Sequence, residues 1–202
     1  MKVVCVGRNY AEHIAELGNE RPDEPVIFMK PDTAIIKNND PFYYPDFSKD
    51  IHHEVEILVK ISREAKSVSQ EFAHKYYEEI GLGIDFTARD LQSKAKEKGL
   101  PWERAKAFNG SAPISNFISK NDFDLNNLNF QLLKNGTEVQ KGSTSMMIWK
   151  IDELISLISQ FILLKTGDII FTGTPSGVGS VAIGDRLQGF IESKQMFDFE
   201  IK

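Results

Sequence analysis

The chain has 202 residues, 24 Lys plus Arg against 29 Asp plus Glu, a formal net charge of −5, 41% hydrophobic residues and 26% charged residues. That balance lies near the globular average and excludes collagen-like, coiled-coil and disordered classes. Mild acidity argues against a phosphate-backbone partner, because nucleic-acid binding usually shows a basic face. Cys5 is the one cysteine, so no internal disulfide forms, which suits a reducing compartment. The apolar stretch before Arg8 is too short for a signal peptide, and Leu154–Leu164 is too short and too polar for a membrane span. The expectation is a cytoplasmic protein of one domain, residues 1–202, that binds neither nucleic acid nor membrane.

Val3–Val6 reads as a short buried strand, and Asn9–Leu17 as a short helix. Asn9 can cap that helix, Glu12 stands at the capping-box position, and Gly18 ends it. A helix this short is marginal alone, so its order must come from docking. The next stretch is rich in Pro, Asp and Asn, with apolar pieces at Val26–Met29 and Thr33–Ile36. Ile51–Ile61 alternates as one strand, with Val55, Ile57 and Val59 on one face and Glu54, Glu56, Leu58 and Lys60 on the other. Phe72, Tyr76 and Ile80 at four-residue spacing predict a helix from Ser67. Gly81–Phe86 reads as a strand, after which Thr87 caps a helix with Asp90 at the third position and Gly99 closing it. Leu128–Lys134, the Asn135-Gly136 turn and Thr137–Gln140 predict a hairpin. Ile151, Leu154, Ile155, Ile158, Phe161 and Ile162 form a helical stripe, and Ile169–Thr172, Arg186–Ile191 and Phe197–Ile201 close the chain as strands. Strands outnumber helices and do not strictly alternate with them, so the pattern favours a β-dominated α+β fold over a doubly wound sheet.

The most informative segment is His52-His53-Glu54-Val55-Glu56. Glutamates at i and i+2 of a strand project to the same face. They repel each other unless a cation sits between them. Taken alone, the pair reads as a solvated outer face. Asp85 changes the weighing, because it lies in an apolar stretch at a strand end, where a carboxylate needs a partner. Three carboxylates make an oxygen-only site suited to a hard cation, Mg²⁺ first, with Mn²⁺ or Ca²⁺ as alternatives. His52 and His53 raise zinc as a further alternative, although the i,i+4 spacing of the zinc-protease helix is missing. His13 and Glu16, three apart on the short helix, share one face. They read either as a general base aligned by a carboxylate or as a surface pair. Gly173-Thr174-Pro175-Ser176-Gly177-Val178-Gly179 follows a strand, and its glycines permit close approach to a ligand; the plainer alternative is a tight turn.

Six motifs occur in a fixed order: Gly7-Arg8-Asn9-Tyr10, Phe28-Met29-Lys30-Pro31, His53-Glu54-Val55-Glu56, Gly83-Ile84-Asp85-Phe86-Thr87-Ala88-Arg89-Asp90-Leu91-Gln92, Lys106-Ala107-Phe108, and Thr172-Gly173-Thr174-Pro175-Ser176-Gly177-Val178-Gly179. With this set the chain resembles, over nearly its whole length, the catalytic domain of the fumarylacetoacetate hydrolase family. It is most similar to the short branch of acylpyruvate hydrolases and oxaloacetate decarboxylases. The resemblance implies a mixed β-sandwich roll with short peripheral helices, a homodimer, and a divalent metal held by Glu54, Glu56 and Asp85. It implies a catalytic dyad of His13 and Glu16 on a lid helix at about residues 9–18, with Lys106 as the active-site lysine. It places Arg8, Lys30, Arg89, Gln92, Gly173 and Thr174 around a small 2-oxo acid.

The activity it implies is Mg²⁺-dependent cleavage of the C–C bond of acylpyruvates, decarboxylation of oxaloacetate, or both, through a pyruvate enolate. Alternatives on the same residues are a dienedioate isomerase or tricarboxylate decarboxylase of aromatic-acid degradation, and an oxaloacetate tautomerase. A metal-dependent sensor of 2-oxo acids is the alternative without turnover.

Overall fold

The computed structural model describes residues 1–16, 18, 20 and 22–202. The chain opens with β1 (Val3–Gly7), α1 (Ala11–Glu16), β2 (Val26–Lys30) and β3 (Ile35–Ile36). It continues through β4 (Ile51–His53), β5 (Val55–Ile61), α2 (Gln70–Ala73), β6 (Tyr77–Ile84), β7 (Thr87–Ala88), α3 (Arg89–Glu97) and α4 (Glu103–Lys106). There follow β8 (Ala112–Pro113), β9 (Ile118–Ser119), β10 (Asn129–Lys134), β11 (Thr137–Ser143), α5 (Ile151–Phe161), β12 (Ile169–Phe171), β13 (Gly179–Ser180), β14 (Arg186–Ile191) and β15 (Lys194–Glu200). Leu17, the last residue of the expected first helix, lies outside the described residues.

A six-stranded sheet runs β2-β1-β12-β5-β6-β9, and a four-stranded sheet runs β11-β10-β14-β15. Smaller sheets, β13-β4-β7 and β3-β8, complete the set among the described residues. The pairing is antiparallel except for β1 with β12 and β3 with β8. The fold is therefore the β-dominated α+β arrangement that the sequence predicts. No helix among the described residues is long and apolar enough to cross a membrane.

The segment 51–61 is not one strand. It leaves the β13-β4-β7 sheet at Glu54 and enters the six-stranded sheet at Val55. Nor does its alternation separate inside from outside. Val55, Ile57, Val59 and Ile61 enter the main core, whereas Leu58 packs into a second core with Val3, Cys5, Ala112, Ile169 and Phe171. Both faces of β5 are covered, so Glu56 is buried by the same geometry that buries Leu58.

Three other expectations are corrected. The helix from Ser67 is only the turn α2, and Ile80 sits in β6 opposite Val59. Pairing of β6 along β5 overrides the four-residue spacing, and Phe72 is left exposed. In α5 the stripe holds through Ile151, Leu154, Ile155 and Ile158, but Phe161 is 80% exposed. Thr87 belongs to β7 rather than capping α3, which begins after Ala88. Gly99 does close α3. Its φ is +62°, its N–H donates to the Lys96 carbonyl at 3.2 Å, and the Leu100 N–H donates to the Ala95 carbonyl at 2.8 Å, the pairing of a Schellman end. The Asn135-Gly136 turn has φ of +54° and +80°, as a two-residue hairpin of twisted strands requires.

Candidate active site

The sheet switch at Glu54 and the end of β6 bring the three carboxylates together. Glu56 lies opposite Gly83, Val55 lies opposite Ile84, and the Asp85 N–H donates to the Glu54 carbonyl at 2.8 Å. Glu54, Glu56 and Asp85 are only 5%, 2% and 1% exposed, and one ligand oxygen from each lies within 4.8 Å of the others. That burial excludes a solvated outer face.

Cations surround the trio unevenly. Lys106 Nζ donates to Glu54 Oε2 at 2.9 Å, to Asp85 Oδ2 at 2.7 Å and to Thr87 Oγ1 at 2.5 Å. Arg89 binds the other Glu54 oxygen, which also accepts from Thr87 Oγ1 at 3.0 Å. Lys30 Nζ lies 2.7 Å from Asp85 Oδ1. Its hydrogen-bonding directions go to the carbonyls of Phe86, Lys106 and Ser111 and to Ser111 Oγ, so the buried Oδ1 has a charge partner but no hydrogen bond. Glu56 Oε2 accepts from the Gly173 N–H at 2.7 Å.

The consequences for ionisation diverge. Burial opposes charge on Glu54, but Lys106 and Arg89 outweigh it and hold this carboxyl well below the usual range. Burial pushes Glu56 well above that range, reinforced by the negative charges of Asp85 and Glu54. Burial would lower Lys106, but Asp85 and Glu54 more than compensate and raise it. A hard divalent cation fits this set of donors. It would find oxygen ligands only, an Asp85 oxygen without a hydrogen bond, and a Glu56 whose charge lacks compensation. The two histidines turn elsewhere, His52 Nε2 to Asp50 Oδ1 at 2.9 Å and His53 Nδ1 to Gln140 Oε1 at 3.0 Å. The zinc alternative thus loses its ligands.

α1 brings His13 to the same cleft. Its Nδ1 lies 3.2 Å from Glu16 Oε2, and Glu16 Oε1 accepts from the Gly177 N–H at 2.9 Å. If Nδ1 carries the proton toward Glu16, Nε2 is free to accept one. Ser176 Oγ bonds Glu12 at 3.3 Å, so α1 is fastened to the Gly173–Gly179 loop at two points. Gly177 cannot be replaced without displacement, since its φ is +93° and a Cβ would stand 2.3 Å from the Val139 carbonyl. Asn9 does not act as the expected helix cap. It is fully buried, and its side chain bonds the Thr172 carbonyl at 2.7 Å and both the carbonyl and N–H of Trp149 at 3.0 and 2.8 Å.

Arg8, His13, Glu54, Glu56, Asp85, Arg89, Gln92, Lys106 and Thr174 all line one cleft, in which about 30 Å³ is open to water-sized molecules. Three of the residues singled out in the sequence stand behind its wall: Lys30 behind Asp85, Gly173 behind Glu56, and Glu16 behind His13. The sequence reading missed Lys96, Trp102 and Phe28 on the wall, and Thr87 as a partner of Glu54 and Lys106. Lys96 was legible in principle, being seven residues after Arg89 on the same helix. Trp102 and Phe28 carry no local signal.

Comparison with known proteins covers the whole chain. The profile of the fumarylacetoacetate (FAA) hydrolase C-terminal family matches residues 2–202. The oxaloacetate tautomerase YcgM of Escherichia coli (strain K12) is 45% identical over 188 residues, covering 92% of this chain and 86% of that protein. The mitochondrial oxaloacetate tautomerase of Bos taurus is 42% identical over 201 residues, covering 99% and 91%. Among solved structures, fumarylpyruvate hydrolase from Pseudomonas aeruginosa in complex with Mn²⁺ and pyruvate superposes with a TM-score of 0.94 at 33% identity, covering 100% of this chain and 89% of that one.

Proposed function

This chain belongs to the fumarylacetoacetate hydrolase family, and from that premise we propose that it is a Mg²⁺-dependent enzyme that interconverts the enol and keto forms of oxaloacetate. The observation that carries the reading is the convergence of Glu54, Glu56 and Asp85 in a cleft that also holds His13 and Lys106. Support for the substrate comes from the oxaloacetate tautomerases at 42% and 45% identity.

A divalent cation held by the three carboxylates would supply Lewis acidity to a 2-oxo carboxylate and so favour negative charge at its 2-oxygen. The chain's own residues do the rest. Tautomerisation moves one proton between the 2-oxygen and C3 and needs neither water nor a redox partner. His13 Nε2 takes and returns that proton, while Glu16 fixes the ring and stabilises its protonated form. Lys106 keeps Glu54 and Asp85 ionised and sets positive charge beside the site where the enolate develops. α1, fastened to the glycine loop, shields the cleft from bulk water.

A second reading is hydrolysis of an acylpyruvate. The His13–Glu16 pair favours it, because the same pair could deprotonate an attacking water, and a fumarylpyruvate hydrolase shares the fold. Cytoplasmic action and pairing with a second copy of the chain as a homodimer belong to the same proposal.

The test is a panel of 2-oxo acids with Mg²⁺, followed with and without EDTA. Ketonisation of enol-oxaloacetate should run at least about 100-fold above buffer and stop with EDTA, a rate gain within the range of general acid–base catalysis. Faster cleavage of acetylpyruvate would replace the first reading with the second. EDTA-insensitive behaviour toward every substrate would overturn both.

A further inference from the structure

α3 presents Arg89, Gln92 and Lys96 at i, i+3 and i+7, and all three line the cleft. The first two have partners there, since Arg89 binds Glu54 and its Nη1 donates to Gln92 Oε1 at 2.6 Å. Lys96 forms no ion pair among the described residues. Its ammonium lies 5.6 Å from the ring centroid of Trp102, another cleft residue. An aromatic face holds a lysine in place without neutralising it. Burial disfavours its charge, and so do Arg8 and Arg89 nearby. Lys96, Arg8 and Arg89 are thus gathered in one cleft against their mutual repulsion.

The charge count gives the arrangement a purpose. Three acids, Glu54, Glu56 and Asp85, stand against three cations, Lys30, Lys106 and Arg89, whose direct ion pairs go to Glu54 and Asp85 and not to Glu56, so a divalent cation leaves that cluster with an excess of two positive charges. Lys96 and Arg8 add to it. A ligand with one carboxylate offsets only part of this excess. A ligand with a carboxylate at each end can place one on the metal side and the other on the α3 side.

We propose that Lys96, steadied on Trp102, grips the second carboxylate of a short oxo-diacid and selects such diacids over 2-oxo acids whose far end is uncharged. This rests on the oxo-acid reading of the cleft, so the test measures binding as well as turnover. The probes are 3,3-difluoro-oxaloacetate and 3,3-difluoropyruvate, which differ by the second carboxylate, titrated calorimetrically into the Mn²⁺-loaded full chain. The wild type should bind the diacid at least about 10-fold more tightly, the size expected of one charge-assisted contact. Lys96→Met should bring the two affinities to within about twofold of each other by weakening the diacid alone, and Lys96→Arg should restore most of the difference.

Equal affinities in the wild type would overturn the proposal. So would undiminished discrimination in Lys96→Met, or a parallel loss for both ligands. Discrimination in a wild type that fails to turn over oxaloacetate would support the role of Lys96 and remove the proposed reaction instead.

Discussion

Glu56 is the carboxylate whose charge the fold does least to balance. Glu54 and Asp85 each meet Lys106, with Arg89 and Lys30 as second cations, while Glu56 takes a backbone N–H from Gly173. Replacing it with Gln keeps its shape and removes its charge. Glu56→Gln should weaken Mn²⁺ binding at least about 100-fold by calorimetry, in line with loss of a charged oxygen ligand; unchanged affinity would remove Glu56 from the ligand set. His13 should behave in the opposite way. His13→Gln should lower kcat by about 10²- to 10⁴-fold, the usual worth of a general base, with Mn²⁺ affinity little changed. A parallel fall in metal affinity would show that His13 holds the carboxylates together rather than moving a proton. The trio was legible because two glutamates at i and i+2 and an aspartate at a strand end are expensive to bury without a partner. Lys30 was not legible in its true place. Nothing in Phe28-Met29-Lys30-Pro31 reveals that the ammonium turns away from the cleft into the carbonyls of Phe86, Lys106 and Ser111.

At the scale of elements, the site depends on two departures from regular structure: the sheet switch at Glu54 and the sharp turn at Gly173. Gly173 has φ of +104°, and a Cβ on it would stand 2.7 Å from Asn9 Cβ and 3.2 Å from the Val6 carbonyl. Gly173→Ala should destabilise the protein by about 1–3 kcal/mol in urea unfolding, the cost of one strained residue. It should also weaken Mn²⁺ binding, because the N–H that orients Glu56 moves with the turn. Wild-type stability together with wild-type metal affinity would show that neither the turn nor its bond to Glu56 matters. Local periodicity found β5 and most of α5, whose packing faces repeat along the chain, while the Asn135-Gly136 turn found β10 and the closing Gly99 helped to find α3. The four-residue spacing failed for Ile80, where pairing with β5 claims the segment, and the cap reading failed for Asn9, whose partners at Trp149 and Thr172 are remote in sequence.

For the molecule as a whole, strand count and order were enough to give the β-dominated class, but not which sheet each strand joins. Parallel pairing of β1 with β12 joins Val3 to Ile169 and Cys5 to Phe171, near opposite ends of the sequence, and no local pattern records it. Asp168 secures that junction. Its carboxylate accepts from the Lys2 N–H at 2.9 Å, from the Lys165 N–H at 2.7 Å and from the Lys2 ammonium. Burial opposes its charge, yet these donors outweigh burial and hold the carboxyl below its usual value. A depressed folded value gives stability that is complete above the unfolded carboxylate pKa of about 3.9 and is lost as pH falls through the lower folded value. Asp168→Ala should therefore cost about 2 kcal/mol near neutrality, as for a buried charged hydrogen-bond acceptor. The difference from wild type should shrink below about pH 4 in acid unfolding; a difference independent of pH would assign the loss to packing instead.

The whole functional account turns on one ion position, and anomalous diffraction from crystals grown with Mn²⁺ measures it directly. The expected result is a single strong peak about 2.0–2.2 Å from oxygens of Glu54, Glu56 and Asp85, the span for small hard divalent cations on carboxylates. A peak at other residues, or none at a saturating concentration, would contradict it.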